Sequence, residues 1–258
     1  MLLAIDVGNT NTVFGLYKGD ELLKTWRIAT RRDHTKDEYA VLLREFFSMS
    51  GFELGAVDDV AIASVVPPTI HALARMSEGY FKRTPFIVGP GIKTGISISY
   101  DNPREVGADR IVNAVAAFER YKEGVVVVDF GTATTFDCIS SKAEYLGGVI
   151  APGIMISVEA LFSKASKLPH VEVIHPKSVI GKNTVSSMQS GILFGYVGLV
   201  DGLVERIKRE YATPPNVIAT GGFAQLIAKE SLTIEEVVEN LTLDGLRILH
   251  ALNKEDFD

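Results

Sequence analysis

The chain has 258 residues, 47% of them hydrophobic and 22% charged, with a formal net charge of −6. That balance allows a sizeable core in one large domain or two closely packed halves. An acidic surface without a long Lys/Arg run argues against non-specific nucleic-acid binding. The single cysteine, Cys138, leaves no internal disulfide and no cysteine-based structural zinc site. No signal-peptide pattern opens the sequence, and the longest apolar stretch, 191–204, contains Asp201 and falls short of a bilayer span. A soluble cytoplasmic protein without a membrane partner is expected.

Leu2, Leu3 and Ile5 read as a short buried strand, and Val13, Phe14, Leu16 and Tyr17 as a second. Between them lies a turn of Gly, Asn and Thr, residues that tolerate left-handed backbone or bond their own main chain. Such a turn can aim several N–H groups and hydroxyls into one concavity suited to a polyphosphate. Asp6 stands at its mouth, where it can hold the water shell of Mg²⁺. Taken alone, the stretch reads equally as a tight hairpin with a solvated Asp. Residues 128–138 repeat the pattern of 5–15: Asp129 matches Asp6, Gly131 matches Gly8, and Thr135 matches Thr12. Two strand–turn–strand units, one opening each half, indicate a duplicated fold.

Residues 22–28 offer a third strand. Thr35 and Glu38 have capping-box spacing before a helix that Gly51 ends. Residues 60–66 form a continuous apolar run, as in a strand covered on both faces. A helix follows Pro67-Pro68 to about residue 82, and 85–88 is another short strand. Residues 89–103, rich in Gly, Pro, Ser and Asn, read as an irregular connection, then a helix over about 104–121 with a core stripe at Ile111, Val115 and Phe118.

The second half offers strands at 125–130, 134–140 and 144–151, a helix over 154–166, a loop over 169–182 and a long helix over 184–211. Gly191, Gly195, Gly198 and Gly202 share one face of that helix, at about 1 kcal/mol each relative to alanine. Close approach of another backbone, from the sheet or a second subunit, is the expected compensation. Residues 217–219 form a strand, Thr220-Gly221-Gly222 a tight turn that permits close backbone approach and could border an adenine ring, and two helices finish the chain.

Gly-x-x-x-x-Gly-Lys-[Ser/Thr], Gly-x-Gly-x-x-Gly opening a helix and Gly-x-Ser-x-Gly are all absent, and the five histidines show no metal-ligand spacing. In Gly107-Ala108-Asp109-Arg110, Asp109 can take the proton of an attacking hydroxyl and Arg110 offers a planar fork for a carboxylate. The same residues also suit an ordinary helix start with a surface Arg. Asp129 reads as a cation ligand or as an acceptor for backbone donors. Asn183-Thr184 reads as a helix cap or a substrate contact.

With these residues assembled, the chain resembles type III pantothenate kinase, of the acetate kinase/Hsp70/actin superfamily. The motifs are Asp6-Val7-Gly8-Asn9-Thr10 with Gly15, Gly107-Ala108-Asp109-Arg110, Asp129-Phe130-Gly131-Thr132-Ala133-Thr134, and Gly147-Gly148-x-Ile150-x-Pro152-Gly153. The resemblance covers essentially the whole chain. It implies an α/β, duplicated RNase H-like (actin-like ATPase) fold, with mixed-sheet halves at 1–115 and 116–258 and an ATP cleft between them. The implied activity is ATP-dependent phosphorylation of pantothenate to 4′-phosphopantothenate, the entry step to coenzyme A.

In that family pattern Asp6, Val7, Gly8, Asn9, Thr10, Asn11, Thr12, Val13 and Thr132 cradle the ATP phosphates, with Asp6 facing Mg²⁺ through water. Asp109 is the general base. Tyr100, Gly107, Ala108, Asp109, Arg110 and Thr184 match substrate contacts, with Arg110 suited to the pantothenate carboxylate. Asp129 matches the site of a monovalent cation, K⁺ or NH₄⁺. A homodimer with the pantothenate pocket near its interface is implied too. A regulatory protein acting through protein or DNA contacts and a chaperone- or actin-like ATPase are the rival readings. The acidic charge and intact Asp109 count against the first, and the compact length against the second.

Overall fold

Two β-sheets organise the chain, each opening with an antiparallel meander. The structure, a computed structural model, describes residues 1–254. It divides into two compact units. The first holds Met1–Ile96, Asp101–Ala116 and the C-terminal stretch from Leu241, and the second holds Ser97–Tyr100 and Ala117–Asn240.

In the first unit β1 (Leu2–Val7), β2 (Asn11–Lys18) and β3 (Glu21–Ala29) form the meander. The helix α1 (Lys36–Met49), β4 (Asp59–Ser64), α2 (Pro67–Met76) and β5 (Phe86–Ile87) follow. The sheet order is β3-β2-β1-β4-β5, with β1 antiparallel to β2 and parallel to β4. Alternation along β1 and β4 sends their side chains to two cores. Leu3, Ile5, Val7 and Ile62 pack with Leu43, Phe47 and Leu73 of α1 and α2. Ala4, Ala61 and Ala63 pack with Val112, Leu243, Leu246 and Leu249 on the other face. Helix α1 starts where its capping box predicts: Thr35 Oγ1 accepts from the Glu38 N–H at 3.2 Å, and the Glu38 carboxylate accepts from the Thr35 N–H at 2.7 Å.

The second unit contains β6 (Ser97–Ile98), β7 (Val125–Phe130), β8 (Ala133–Ile139), β9 (Glu144–Pro152), β10 (Asn216–Gly221) and β11 (Glu236–Val237) in the order β11-β10-β7-β8-β9-β6. Apart from β6, this repeats the first sheet: a meander, then a parallel strand beside its first member. One face, with Val126, Val128, Phe136 and Cys138, packs on α4 (Ile154–Lys164), α5 (Thr184–Lys208) and α6 (Ala224–Ala228). Helix α3 (Ala108–Tyr121) carries the chain from one unit to the other, beside the expected boundary at 115/116, while α7 (Leu241–Asn253) belongs to the first unit.

Several expectations need correction. The helix expected from 104 is a short turn at Pro103–Glu105, then α3 from Ala108. Its buried residues are Arg110 and Val112 to Ala117, with Ile111 and Phe118 only half-buried, so the three-residue stripe is too narrow. The 89–103 connection contains β6, paired parallel with β9. Helix α5 ends at Lys208, and Cβ atoms built on Gly191, Gly195 and Gly198 would meet nothing within 4 Å. No backbone approaches these glycines among the described residues. At 25 residues α5 is long and apolar enough, by length and composition, to cross a membrane, unlike the 191–204 stretch taken alone. Its Leu193, Val200 and Val204 are fully buried in the core of the second unit.

Removing the α1 cap tests this account of the first unit. Thr35→Ala should cost about 1 kcal/mol in urea unfolding, with an unchanged denaturant slope.

Candidate active site

The turn between β1 and β2 is fixed from three sides. The Gly8 N–H donates to the Asn11 carbonyl at 3.0 Å, and the Thr30 N–H donates to the Thr10 carbonyl at 2.9 Å. Thr30 Oγ1 donates to the Gly8 carbonyl at 2.8 Å, so the 2.9 Å contact between the two hydroxyls has Thr12 as donor. Thr12 is buried, while Asn9, Thr10 and Asn11 are exposed, leaving the tip of the turn open to a ligand. Asp6 is half-buried at the end of β1, one residue before Val7. Thr30 carries no sequence signal, because it lies beyond a third strand, 18 residues from Thr12.

The same edge of the sheet carries the second predicted constellation. The Val65 N–H, just past β4, donates to the Val7 carbonyl at 3.1 Å. A Cβ added to Gly107 would lie 3.8 Å from Val65 Cγ1 and 2.6 Å from Asp109 Oδ1, so a side chain there would displace the Asp109 carboxylate. The Gly107–Arg110 segment thus sits at the carboxyl ends of β1 and β4, the edge where open α/β sheets bind ligands.

Asp109 lies in the first turn of α3, and its Oδ1 accepts the Arg110 N–H at 2.8 Å. Burial pushes its carboxyl above the usual aspartate range, while that N–H and the Arg110 charge hold it back. Arg110 is itself buried. Gly15, the remaining residue of the first motif, packs under Leu243: a Cβ there would be 2.9 Å from Leu243 Cδ1. Its role is packing.

In the second unit the hairpin is one residue tighter. The Gly131 N–H donates to the Ala133 carbonyl at 3.1 Å, and Phe130 pairs with Thr134 where Val7 pairs with Thr12. The structural counterpart of Thr12 is therefore Thr134, not Thr135, because the first turn holds an extra residue. Thr134 is buried, and its Oγ1 has no hydrogen-bond partner among the described residues. The Thr132 carbonyl lies against Gly153, whose added Cβ would be 2.1 Å away.

Beside Asp129, Gly221 has φ +91°, and a Cβ there would lie 2.6 Å from Asp129 Oδ1 and 2.7 Å from the Phe130 carbonyl. Asp129 Oδ1 and the Phe130 carbonyl oxygen thus both lie against the bare Gly221 backbone. This donor set fits a hard cation. Among the described residues no three His, Cys, Asp or Glu side chains could together hold a metal.

The other predicted residues stand on separate elements of the second unit. Tyr100 follows β6, its ring over Gly147, where an added Cβ would be 3.6 Å from Tyr100 Cε2. Thr184 opens α5 behind the cap Asn183, whose Oδ1 accepts the Ser186 N–H at 2.9 Å. Thr184 also lines an open cavity of about 810 Å³ with Ser157, Leu161, Met188 and Tyr196. Tyr196 donates to the Pro152 carbonyl at 2.9 Å, which brings one end of that cavity beside Gly153 and the Thr132 turn.

The raised Asp109 carboxyl has a consequence for stability. The folded chain holds this proton more tightly than the unfolded one, so the charged form costs stability in full above the folded pKa. That cost shrinks as pH falls and vanishes below the ordinary aspartate value of about 3.9. Asp109→Asn keeps an acceptor for the Arg110 N–H and removes the buried charge. Its melting temperature should exceed that of the parent at about pH 7, with the gain disappearing toward about pH 4. An equal or lower melting temperature at neutral pH would contradict this account of the site.

A family model described as type III pantothenate kinase matches residues 2–206. The chain is 61% identical over 254 residues to a type III pantothenate kinase from Anaeromyxobacter sp. (strain Fw109-5), covering 98% of this chain and 100% of that one. It is 59% identical over 255 residues to another from Geobacter sulfurreducens, covering 99% and 100%. Among solved structures it is similar to a conserved putative Baf family transcriptional activator from Campylobacter jejuni. The TM-score is 0.60, with 19% identity and coverage of 98% and 99%. It is also similar to the activator of the 2-hydroxyisocaproyl-CoA dehydratase from Clostridium difficile, solved with bound ADPNP. There the TM-score is 0.57, with 13% identity and coverage of 99% and 95%. At those identities the two structures speak for the fold alone, a duplicated RNase H-like architecture. With its four motifs in order and its relatives matched over their full length, the chain belongs to the type III pantothenate kinase family.

Proposed function

We propose that the chain transfers the γ-phosphoryl group of ATP to the primary hydroxyl of pantothenate, giving ADP and 4′-phosphopantothenate. The observation that carries this reading is the meeting of a braced Gly-Asn-Thr turn and a carboxylate of raised pKa at one edge of the first sheet. Asp109 accepts the hydroxyl proton as the oxygen attacks phosphorus, and the bond from phosphorus to the ADP oxygen breaks. A carboxyl pushed upward by burial is a better base than an ordinary aspartate. The buried Arg110 offers its fork to the pantothenate carboxylate, and Gly107, Ala108, Tyr100 and Thr184 complete the acceptor contacts.

Residues 6–13 hold phosphate oxygens through main-chain N–H groups and hydroxyls, and Thr132 does the same from the second turn. Asp6 would hold Mg²⁺ through water, and Asp129 with the Phe130 carbonyl would hold K⁺ or NH₄⁺. Both ions neutralise phosphate charge, which together with positioning is most of what phosphoryl transfer needs. The proposal includes a homodimer acting in the cytoplasm. Its support is the open glycine face of α5 and the exposed Met155, Ile156, Leu161, Phe162 and Val185 on α4 and α5.

A coupled assay for ADP tests the reading. ADP should form only when pantothenate is present, and equal release without it would point to an ATPase instead. Asp109→Asn should lower kcat by roughly 10²–10⁴-fold, and unchanged turnover would remove Asp109 from the chemistry. Asp129→Ala should abolish stimulation by K⁺ in the same assay, and persistent activation would place the cation elsewhere.

A further inference from the structure

One carboxylate has no part in the scheme above, yet is wholly buried. Asp137 sits in the middle of β8, opposite Val127 on β7 and Gly148 on β9, with no exposed surface. A buried carboxylate is costly, and an apolar residue of similar volume often serves stability equally well. Its retention calls for a reason other than packing.

The hydrogen bonds supply one. Tyr145, also fully buried, donates its hydroxyl to Asp137 Oδ1 at 2.8 Å. Thr135 Oγ1 reaches Asp137 Oδ2 at 3.4 Å. Thr135 and Asp137 are two residues apart on one strand and share a face of the sheet, and Asp129 is the cross-strand partner of Thr135. The Tyr145 ring in turn lies 6.3 Å from that of Tyr100, tilted by 50°. Tyr100 is thus seated between the Tyr145 ring and the bare Gly147 backbone, whose φ of +118° disfavours any other residue. A continuous row runs from the candidate cation ligand Asp129, through Thr135, Asp137 and Tyr145, to the candidate acceptor contact Tyr100.

We infer that Asp137 is a positioning residue for the acceptor: it fixes the Tyr145 hydroxyl, and through the Tyr145 ring it holds Tyr100 in its pantothenate-binding orientation. This rests on the pantothenate kinase reading above. Tyr145 can rotate or slide in its slot only by breaking a buried hydrogen bond. Without that lock the ring beneath Tyr100 loses its fixed plane, and the acceptor meets a less ordered surface. Binding of pantothenate should weaken, while the braced turn of residues 6–13 is untouched.

Steady-state kinetics on Tyr145→Phe and Asp137→Asn decide the matter. Both should raise KM for pantothenate by about tenfold or more, the scale expected when a supporting contact is lost. KM for ATP should stay unchanged, and kcat within about twofold of the parent. A merely structural role would instead lower the folded fraction, reducing kcat without moving either KM. Tyr145→Phe removes one oxygen atom and so keeps the test open should Asp137→Asn fold poorly. An unchanged pantothenate KM in Tyr145→Phe overturns this inference alone. A parent chain without pantothenate-dependent turnover overturns both readings.

Discussion

In each unit a parallel strand lies beside the first strand of the meander, and the chain leaving it caps the last carbonyl of its neighbour. The Val65 N–H past β4 bonds the Val7 carbonyl, and the Gly222 N–H past β10 bonds the Phe130 carbonyl. Parallel pairing aligns the carboxyl ends of the two strands at one edge. The hairpin turn of the meander and the exit of the parallel strand are therefore neighbours by construction. In the first unit this places residues 6–13 by Val65 and Gly107. In the second it places Asp129 by Gly221. The chemistry proposed for each turn follows from that shared hydrogen bond.

Asp109 shows how the fold sets aside stability at such an edge. A carboxylate near the start of α3 would gain from the helix dipole if solvated. Here burial outweighs the Arg110 N–H and guanidinium, so the carboxyl is pushed up. The Arg110 N–H and charge oppose that upward push without cancelling it. Gly107 leaves room for this carboxylate position, since a Cβ there would lie 2.6 Å from Asp109 Oδ1.

What the sequence made legible was local or repeated. The Thr35/Glu38 box, the apolar run of β4 and the two Asp-x-Gly hairpins each carry their signal within a few residues, and each stands in the structure. Features that depend on distant contacts left no such trace. Thr30 braces the first turn from beyond β3. Strand β6 has two residues and exists because β9 offers an edge. Helix α3 buries every residue from Val112 to Ala117, wider coverage than a single stripe predicts. Asp137 was hidden in a run of strand residues whose period says nothing of a buried carboxylate. Pairing Thr12 with Thr135 missed the extra residue in the first turn, which only the hydrogen-bond register reveals.

That register also separates the two turns physically. In the first, Thr12, Thr30 and the Gly8 carbonyl satisfy one another, so these groups are paired within the turn. In the second, the equivalent Thr134 hydroxyl is buried with no partner among the described residues, an arrangement that costs about 1–3 kcal/mol. Duplication therefore produced one preorganised turn and one with an unmet hydrogen bond. A ligand oxygen or water beside Thr134 would complete the second turn, whereas the Thr12 and Thr30 hydroxyls of the first already have partners.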